Sequence, residues 1–473
     1  MSPRYVIVGA GPAGMRAAEQ LVRAGVRPVV IDEAPRFGGQ IYRQPPEVFR
    51  RSRRDLYGFE AGRAAALLDG FAALLPQIDY RPDTMVWQHD AYALQVLTQG
   101  RSDTVPYDRV ILATGATDRV LPFPGWTLPG VTTLGGAQVA LKYQACLIGP
   151  QVIFAGSGPL LYLVAWQYAS RGAQVLAVLD AAPPGARYRA LPSMLARPAV
   201  LAKGAYYLAR LRLMGVPIHH GVSLLGAEGE ERIESLTWQA AGATRTMPCD
   251  AVAFGHGLRS ETQLADLAGC EFAFSELEQA WLPVRDAAGR SSVRGVYLAG
   301  DGAATLGADA AELGGARAAL AALQDSGGVV PAGLVGSLER KTRAQVRFRQ
   351  GIETLTALPE RWAAQAPDEL IVCRCEEVTA GELRGCVRDT GARDLNRLKA
   401  LTRIGMGRCQ GRMCAPAAAR LLAEAAGCSL ADAGRLRSQA PVKPLPIAML
   451  RDASPVSWQA PADDSEAAMD RDE

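Results

Sequence analysis

The stretch Tyr5-Val6-Ile7-Val8-Gly9-Ala10-Gly11-Pro12-Ala13-Gly14 decides the fold. An apolar run, a glycine-rich turn and a helical stretch from Ala13 to Ala24 carrying Met15, Ala18, Leu21 and Val22 on one face read as strand, turn and helix. A second strand follows at Val29 to Ile31, and Asp32 ends it, 18 positions after Gly14. Each element has a mechanical reason. Gly9 permits the tight turn, Gly11 lets backbone approach a pyrophosphate, and Gly14 lets helix and strand pack closely. Pro12 and Ala13 open a helix whose unpaired N–H groups face the anion. The carboxylate of Asp32, with Glu33 beside it, is placed to accept ribose hydroxyls. The pattern predicts a dinucleotide site and does not by itself separate FAD from NAD.

A weaker copy of the unit recurs from Gln151 to Asp180: strand Val152 to Phe154, turn Gly156 to Pro159, helix Leu160 to Ser170, strand Val175 to Leu179. The repeat predicts an α/β protein with two Rossmann-like dinucleotide-binding domains. Pro122, Pro124, Gly125, Pro129 and Gly130 punctuate the crossing between them. The strand Val296 to Gly300 and the small-residue helix Ala308 to Leu323 read as a return to the first domain. The expected division is residues 1–120 with 287–330, residues 121–286, a surface helical linker over 331–368, a separate small helical module over 369–427, and a disordered acidic tail over 452–473.

Two further stretches resemble the signatures of flavoproteins built from two dinucleotide domains. Val110-Ile111-Leu112-Ala113-Thr114-Gly115-Ala116 looks like the strand and turn that close their FAD domain. Gly295-Val296-Tyr297-Leu298-Ala299-Gly300-Asp301-Gly302 resembles their second FAD signature, in which the aspartate binds the ribitol. A flavin dinucleotide extends past the first helix and needs such a second polar contact set, so FAD is the expected occupant. The loop Phe37 to Gln44, with Gly39 and Gln40, is expected on the flavin side. In the second domain the turn reads Gly156-Ser157-Gly158-Pro159-Leu160-Leu161, with a leucine in place of the third glycine. Asp180 still ends the next strand, but no arginine follows it for a 2′-phosphate. This domain is expected to keep the fold without using NAD(P) in turnover, either empty or holding an adenine nucleotide structurally. It contains no Cys-x-x-Cys, unlike the thioredoxin reductase branch.

Cys373-Arg374-Cys375 and Cys409-Gln410-Gly411-Arg412-Met413-Cys414 form a C-x-C and a C-x4-C pair separated by 33 residues. Four thiolates so paired suit zinc or an iron-sulfur centre. Thr379 to Glu382 reads as a capping box and Pro416 suits a first helical turn, which places each pair just before a helix N-terminus. The pattern resembles the bacterioferritin-associated-ferredoxin type of 2Fe-2S domain, and that resemblance implies a 2Fe-2S cluster. The remaining cysteines, Cys146, Cys249, Cys270, Cys386 and Cys428, are expected as small core residues.

With 51 Lys and Arg against 48 Asp and Glu, the net charge of +3 supplies no electrostatic footprint for nucleic acid. No apolar run of about 18 residues suits a spanning helix, which leaves only peripheral membrane contact open. Met1 to Arg4 run straight into a strand without room for a leader, so a cytoplasmic location is expected. The four histidines, at 89, 219, 220 and 256, fall in no general-base motif, and no nucleophile or paired-carboxylate motif appears. The catalytic residues are unknown at this point.

Along residues 4–425 the order of motifs resembles the alpha-subunit family of opine (octopine and nopaline) oxidases, D-hydroxyproline dehydrogenase and hydrogen cyanide synthase. That resemblance implies an electron-transfer flavoprotein subunit. It also implies a D-amino-acid-oxidase-like partner that oxidises a C–N bond, often a small 2Fe-2S ferredoxin-like subunit, and in some relatives an FMN between the flavoprotein subunits. It carries Gly9, Gly11, Gly14, Asp32 and Asp301 over to FAD, and the four paired cysteines to the cluster. A self-sufficient NAD(P)H-dependent ferredoxin or nitrite reductase is the rival, and a cluster-based sensing module a third reading.

Overall fold

The computed structural model describes residues 3–49, 51–183, 185–356 and 358–451; the acidic tail lies outside them. Tyr5–Val8 is buried along its whole length, as expected of a central parallel strand covered on both faces. It pairs on one side with Val29–Ile31 and on the other with Arg109–Leu112. Asp79–Arg81 and Val296–Leu298 complete a five-stranded parallel sheet at its two edges. The helix Pro12–Arg23 packs against the return helix Ala308–Gln324. Small residues make that approach close, and a Cβ on Gly315 would run into the Ala13 carbonyl.

The second sheet repeats the first. Gln151–Gly156 lies between Gln174–Asp180 and Ala251–Gly255, with Ile218–His220 and Val131–Thr133 at the edges, all parallel. The repeat extends further than the glycine motif: each domain also carries a three-stranded antiparallel meander, from Thr84 to Pro106 and from Ser223 to Pro248. Each sheet has an edge strand distant in sequence from its neighbours. Val296–Leu298 returns to the first sheet after the second has been built, and Val131–Thr133 enters the second sheet before its core strands. A two-stranded antiparallel ribbon, Ala116–Asp118 with Leu258–Ser260, marks where the chain crosses in each direction.

Two expectations need correction. The cysteine-bearing module is not separate. Its helices Ala380–Thr390, Leu395–Thr402 and Ala415–Ala426 share one buried apolar cluster with the second domain, running from Phe123, Trp126 and Phe254 through Leu370 and Val372 to Leu383, Leu398 and Leu421. Trp126 Nε1 donates to the Ile371 carbonyl (2.7 Å) and Trp362 Nε1 to the Pro122 carbonyl (2.9 Å). Nor is the stretch 331–368 a plain surface linker. Its helix Ala332–Leu355 starts with Leu334 exposed, yet ends with Gly351, Ile352 and Glu353 buried. The buried end carries polar groups, which apolar periodicity cannot register. Of the five cysteines expected in the core, Cys249 and Cys270 are buried, Cys386 and Cys428 are half-buried, and Cys146 is exposed just past a helix end.

A shared core predicts shared cooperativity. Trp126→Ala, which removes a buried indole and its hydrogen bond, should cost about 3–5 kcal/mol. Urea unfolding followed by far-UV circular dichroism and by visible absorbance of the cysteine module should shift together. A module that melts at an unchanged midpoint would contradict the continuous core.

Candidate flavin and cluster sites

The first glycine turn is shaped by close backbone approach. Gly9 has φ +104°, and a Cβ there would run into the Ala113 carbonyl, while one on Gly14 would run into the carbonyl of Gly9. Asp32 ties the turn down: its carboxylate accepts from the N–H groups of Ala10 (2.5 Å) and Ala34 (2.7 Å). Burial raises its pKa, and those two bonds offset part of the rise. Glu33 forms an ion pair with Lys443, which the C-terminal segment brings back to the first domain. The loop Phe37 to Gln44 lies across the turn, with Gly38 N donating to the Ala10 carbonyl (2.8 Å) and Gly39 so close that a Cβ would sit 2.9 Å from Gly11 Cα. Gln40 is exposed and accepts from Arg43. Lys142, buried, donates to the Ile41 carbonyl, and burial pushes its pKa down to about 8.

The second contact set meets the first. A Cβ on Gly300 would sit 2.8 Å from Ala13 Cβ, and one on Gly302 would strike Thr114 Oγ1. Asp301 accepts from Leu306 N and Gly307 N, both at 2.9 Å; burial raises its pKa and these bonds lower it. Gly9 to Gly14, Thr114 to Gly115 and Gly300 to Gly302 thus converge at the carboxyl ends of the parallel strands, where open α/β sheets bind ligands. The helix starting at Pro12 has no side-chain cap and no acidic residue in its first turn, so its N-terminus is left to an anion. This cradle fits the pyrophosphate of a flavin dinucleotide.

The second turn is occupied by the chain itself. Gly158 faces Thr356, whose Cγ2 would lie 2.5 Å from a Cβ at that position, and Gly257 faces Arg119 and Thr356. The buried Arg119 donates to the carbonyls of His256 (2.8 Å) and Thr356 (3.3 Å) and pairs with Glu353 at 3.5 Å. The end of the helix Ala332–Leu355 therefore plugs the mouth of this cleft. Leu161 is fully buried in the core beneath the helix. Asp180 accepts from Tyr162 Oη (2.5 Å) and Ala182 N (2.9 Å) and faces His220 Nδ1 at 3.3 Å. Burial pushes the Asp180 pKa up, but bonds from His220 and Tyr162 outweigh it, and the net direction is down. Sequence reasoning missed Arg119, Glu353 and Thr356, which belong to no motif.

The four histidines all have structural surroundings. His256 is buried with Nδ1 3.5 Å from Ser157 Oγ, and burial beside Arg119 pushes its pKa down to about 3. His89 meets Tyr107 Oη at 2.6 Å, and His219 packs on Trp238.

The cysteines come together. Cys373 ends a short strand that pairs with Val378–Thr379; Thr379 then forms the expected capping box with Glu382. Cys414 is the N-cap of the helix Ala415–Ala426, with Pro416 in its first turn. The four thiols neighbour one another: Cys414 faces Cys373 and Cys409, and Cys375 faces Cys409 and Cys373. Hydrogen bonding from Cys414 holds Cys373 down to about 6 and Cys409 down to about 5, while Cys414 itself is raised. Backbone N–H groups of Glu376, Gly405 and Cys375 face Cys373, and those of Met413 and Gly411 face Cys409. As the side chains stand, no group of three or more His, Cys, Asp or Glu among the described residues is arranged around a single metal ion. Zinc needs all four sulfurs on one tetrahedron, whereas a 2Fe-2S cluster takes two thiolates on each iron. Four neighbouring thiols in two sequence pairs, with N–H donors facing Cys373 and Cys409, fit the latter.

Paired dinucleotide-type domains with flavin contact sets, joined to a four-cysteine module, define an oxidoreductase flavoprotein with an iron-sulfur domain. Residues 3–325 match the pyridine nucleotide-disulphide oxidoreductase family, which implies FAD, and residues 371–424 match the BFD-like 2Fe-2S binding domain. An opine oxidase subunit from Agrobacterium tumefaciens is 39% identical over 94% of this chain and 90% of its own length. The hydrogen cyanide synthase subunit HcnB of Pseudomonas aeruginosa is 36% identical over 94% and 98%. The chain belongs to this family of oxidase and synthase subunits. The crystal structure of L-proline dehydrogenase from P. horikoshii shares the fold, with TM-score 0.68 and 20% identity over 95% of this chain and 79% of that one. No helix among the described residues is long and apolar enough to cross a membrane.

Cys409→Ser should remove the visible and paramagnetic signals of the cluster and its acid-labile sulfide while leaving FAD bound. Stoichiometric zinc without labile sulfide in the native chain would overturn the cluster assignment.

Proposed function

We propose that this chain is the electron-transfer flavoprotein subunit of a hetero-oligomeric dehydrogenase or oxidase acting on the C–N bond of an amino or imino acid, of opine, D-hydroxyproline, proline or glycine type. The substrate is oxidised on a D-amino-acid-oxidase-like partner. In this reading Gly9, Gly11, Pro12, Ala13 and Gly14 hold the FAD pyrophosphate and Asp32 and Glu33 the ribose side. Gly39, Gln40, Thr114, Gly115, Gly300, Asp301 and Gly302 line the rest of the cofactor, and Cys373, Cys375, Cys409 and Cys414 hold the 2Fe-2S cluster. The flavin exchanges two electrons and the cluster one, so the pair converts between the two kinds of carrier. An FMN at the subunit interface and a small ferredoxin-like subunit belong to the same proposal. So does a cytoplasmic location, where the five cysteines outside the cluster stay reduced.

The observation that carries this reading is the plug of Thr356, Glu353 and Arg119 against the second glycine turn. A pyridine nucleotide would have to displace a buried ion pair, so electrons must enter from elsewhere. The histidines support it from the other side: His256 is buried against Ser157, His89 meets Tyr107, His220 faces Asp180 and His219 packs on Trp238. Relatives named as subunits of oxidases point to a partner as the source.

Two measurements test the proposal. Anaerobic millimolar NADH should leave the visible spectrum of the purified chain unbleached on the timescale of turnover; rapid reduction would favour the self-sufficient reductase. Assayed with opines, D-hydroxyproline, proline and glycine and an artificial acceptor, the chain alone should be inactive, and the chain with its partner active. Turnover by the isolated chain at the rate of the complex would overturn the division of labour.

A further inference from the structure

A bridge runs between the two cradles. Glu261 follows the ribbon strand Leu258–Ser260, and its backbone is fixed to the flavin-side loop: its N–H donates to the Gly115 carbonyl (3.0 Å) and its carbonyl accepts from Thr114 Oγ1 (2.6 Å). Its carboxylate accepts from Arg412 Nε (2.6 Å) and Nη2 (3.2 Å). Arg412 lies inside the loop between Cys409 and Cys414, and its Nη1 donates to the carbonyls of Cys409 (3.3 Å) and Val442 (2.8 Å). The side chains of Arg412 and Glu261 are only 16% and 14% exposed, so solvent screens their charges weakly. Two parallel contacts follow the same line. Gln263 Nε2 donates to the Gln410 carbonyl (2.7 Å), and Arg259 Nη1 to the carbonyls of Gly411 (3.4 Å) and Arg412 (3.0 Å).

A desolvated ion pair is weak evidence for stability, since apolar replacements often serve as well. Its placement is the informative part. One partner is attached to a loop of the flavin cradle and the other lies between two cluster cysteines. We propose that Glu261 and Arg412 are positioning residues that hold the cluster loop in register with the flavin-binding loop and together set the reduction potential of the cluster. The proposal rests on the cofactor assignments above. With both cofactors bound, the step concerned would be one-electron transfer from reduced flavin to the cluster. Each electron would reduce one ferric ion of the cluster to ferrous, the flavin protons would pass to water, and a one-electron acceptor would reoxidise the cluster before the second transfer. Reduction adds one negative charge beside the pair. The guanidinium favours that charge, the carboxylate opposes it, and in the native pair the two effects offset each other.

Opposite signs therefore distinguish this role from a merely structural one. In the cofactor-loaded chain, Glu261→Gln leaves Arg412 uncompensated and should raise the cluster potential. Arg412→Gln leaves Glu261 uncompensated and should lower it. The double variant should return towards the native value, and Arg412→Lys should lie closer to native than Arg412→Gln. Potentiometric titration followed by electron paramagnetic resonance reads the potentials, with flavin, iron and sulfide contents measured on each protein. Flavin-to-cluster electron transfer after photoreduction should slow in both single variants. If Arg412→Gln does not retain the cluster, Glu261→Gln decides: an upward shift supports the proposal and an unshifted potential overturns it. Single variants that keep both cofactors and move the potential in the same direction also overturn it. Native chain lacking flavin or cluster would overturn the functional reading, and this proposal with it.

Discussion

The ribbon of Ala116–Asp118 with Leu258–Ser260 is the joint on which the rest of the structure depends. A two-stranded ribbon is marginal by itself. Here it is extended by backbone bonds at both ends: Glu261 N to the Gly115 carbonyl on one side, and Arg119 N to the Gly257 carbonyl and His256 N to the Arg119 carbonyl on the other. One end therefore leads to the flavin-side loop and the bridge to the cysteines. The other leads to Arg119, His256 and the plugged second turn. The site features all hang from six strand residues because the chain must pass there in both directions to complete the first sheet after the second has been built.

Buried charge gathers around the plug. Glu353 pairs with Arg119 and also with Arg349, which in turn donates to Thr305 Oγ1 (2.8 Å), and Thr305 N donates to the buried Glu278 (3.0 Å). Burial lowers the pKa of Arg119 and raises that of Glu278, the directions in which desolvation disfavours charge. Such a network gains little net stability over well-packed apolar groups, but breaking it by removing one partner costs about 3–5 kcal/mol. It fixes how the helix end sits on the glycine turn, and it connects that turn to the segment just after Asp301.

The legible and illegible parts of the sequence divide along physical lines. The glycine turn, its repeat, the return strand and the cysteine pairs could be read because each is a local pattern: a period, a spacing, or a residue that only one backbone geometry accepts. The capping box at Thr379 and Glu382 was readable for the same reason. The plug and the bridge were not, because Arg119 meets Glu353 across 234 positions and Glu261 meets Arg412 across 151. A charged residue destined for a buried long-range pair looks like any surface charge. Fusion of the cysteine module to the second domain was hidden differently. Trp126 and Leu370 read as ordinary apolar residues, and nothing local says that their neighbours lie in another module.

These features together disfavour relative motion of the parts. The first sheet takes its edge strand Val296–Leu298 after the chain has returned through the ribbon, so the chain crosses twice between the domains and the ribbon ties the two crossings together. The plug, the shared core at Trp126 and the Glu261–Arg412 bridge add contacts of three different kinds at three different places, and a rotation about any one would break the other two. A protein that exchanges a soluble nucleotide in its second cleft needs that cleft to open. The electron-transfer role proposed above needs the reverse, because transfer between two centres depends on a constant separation. The second domain can then be understood by its contacts rather than by its missing glycine: the cleft at its glycine turn anchors the helix end, and its core continues into the cysteine module.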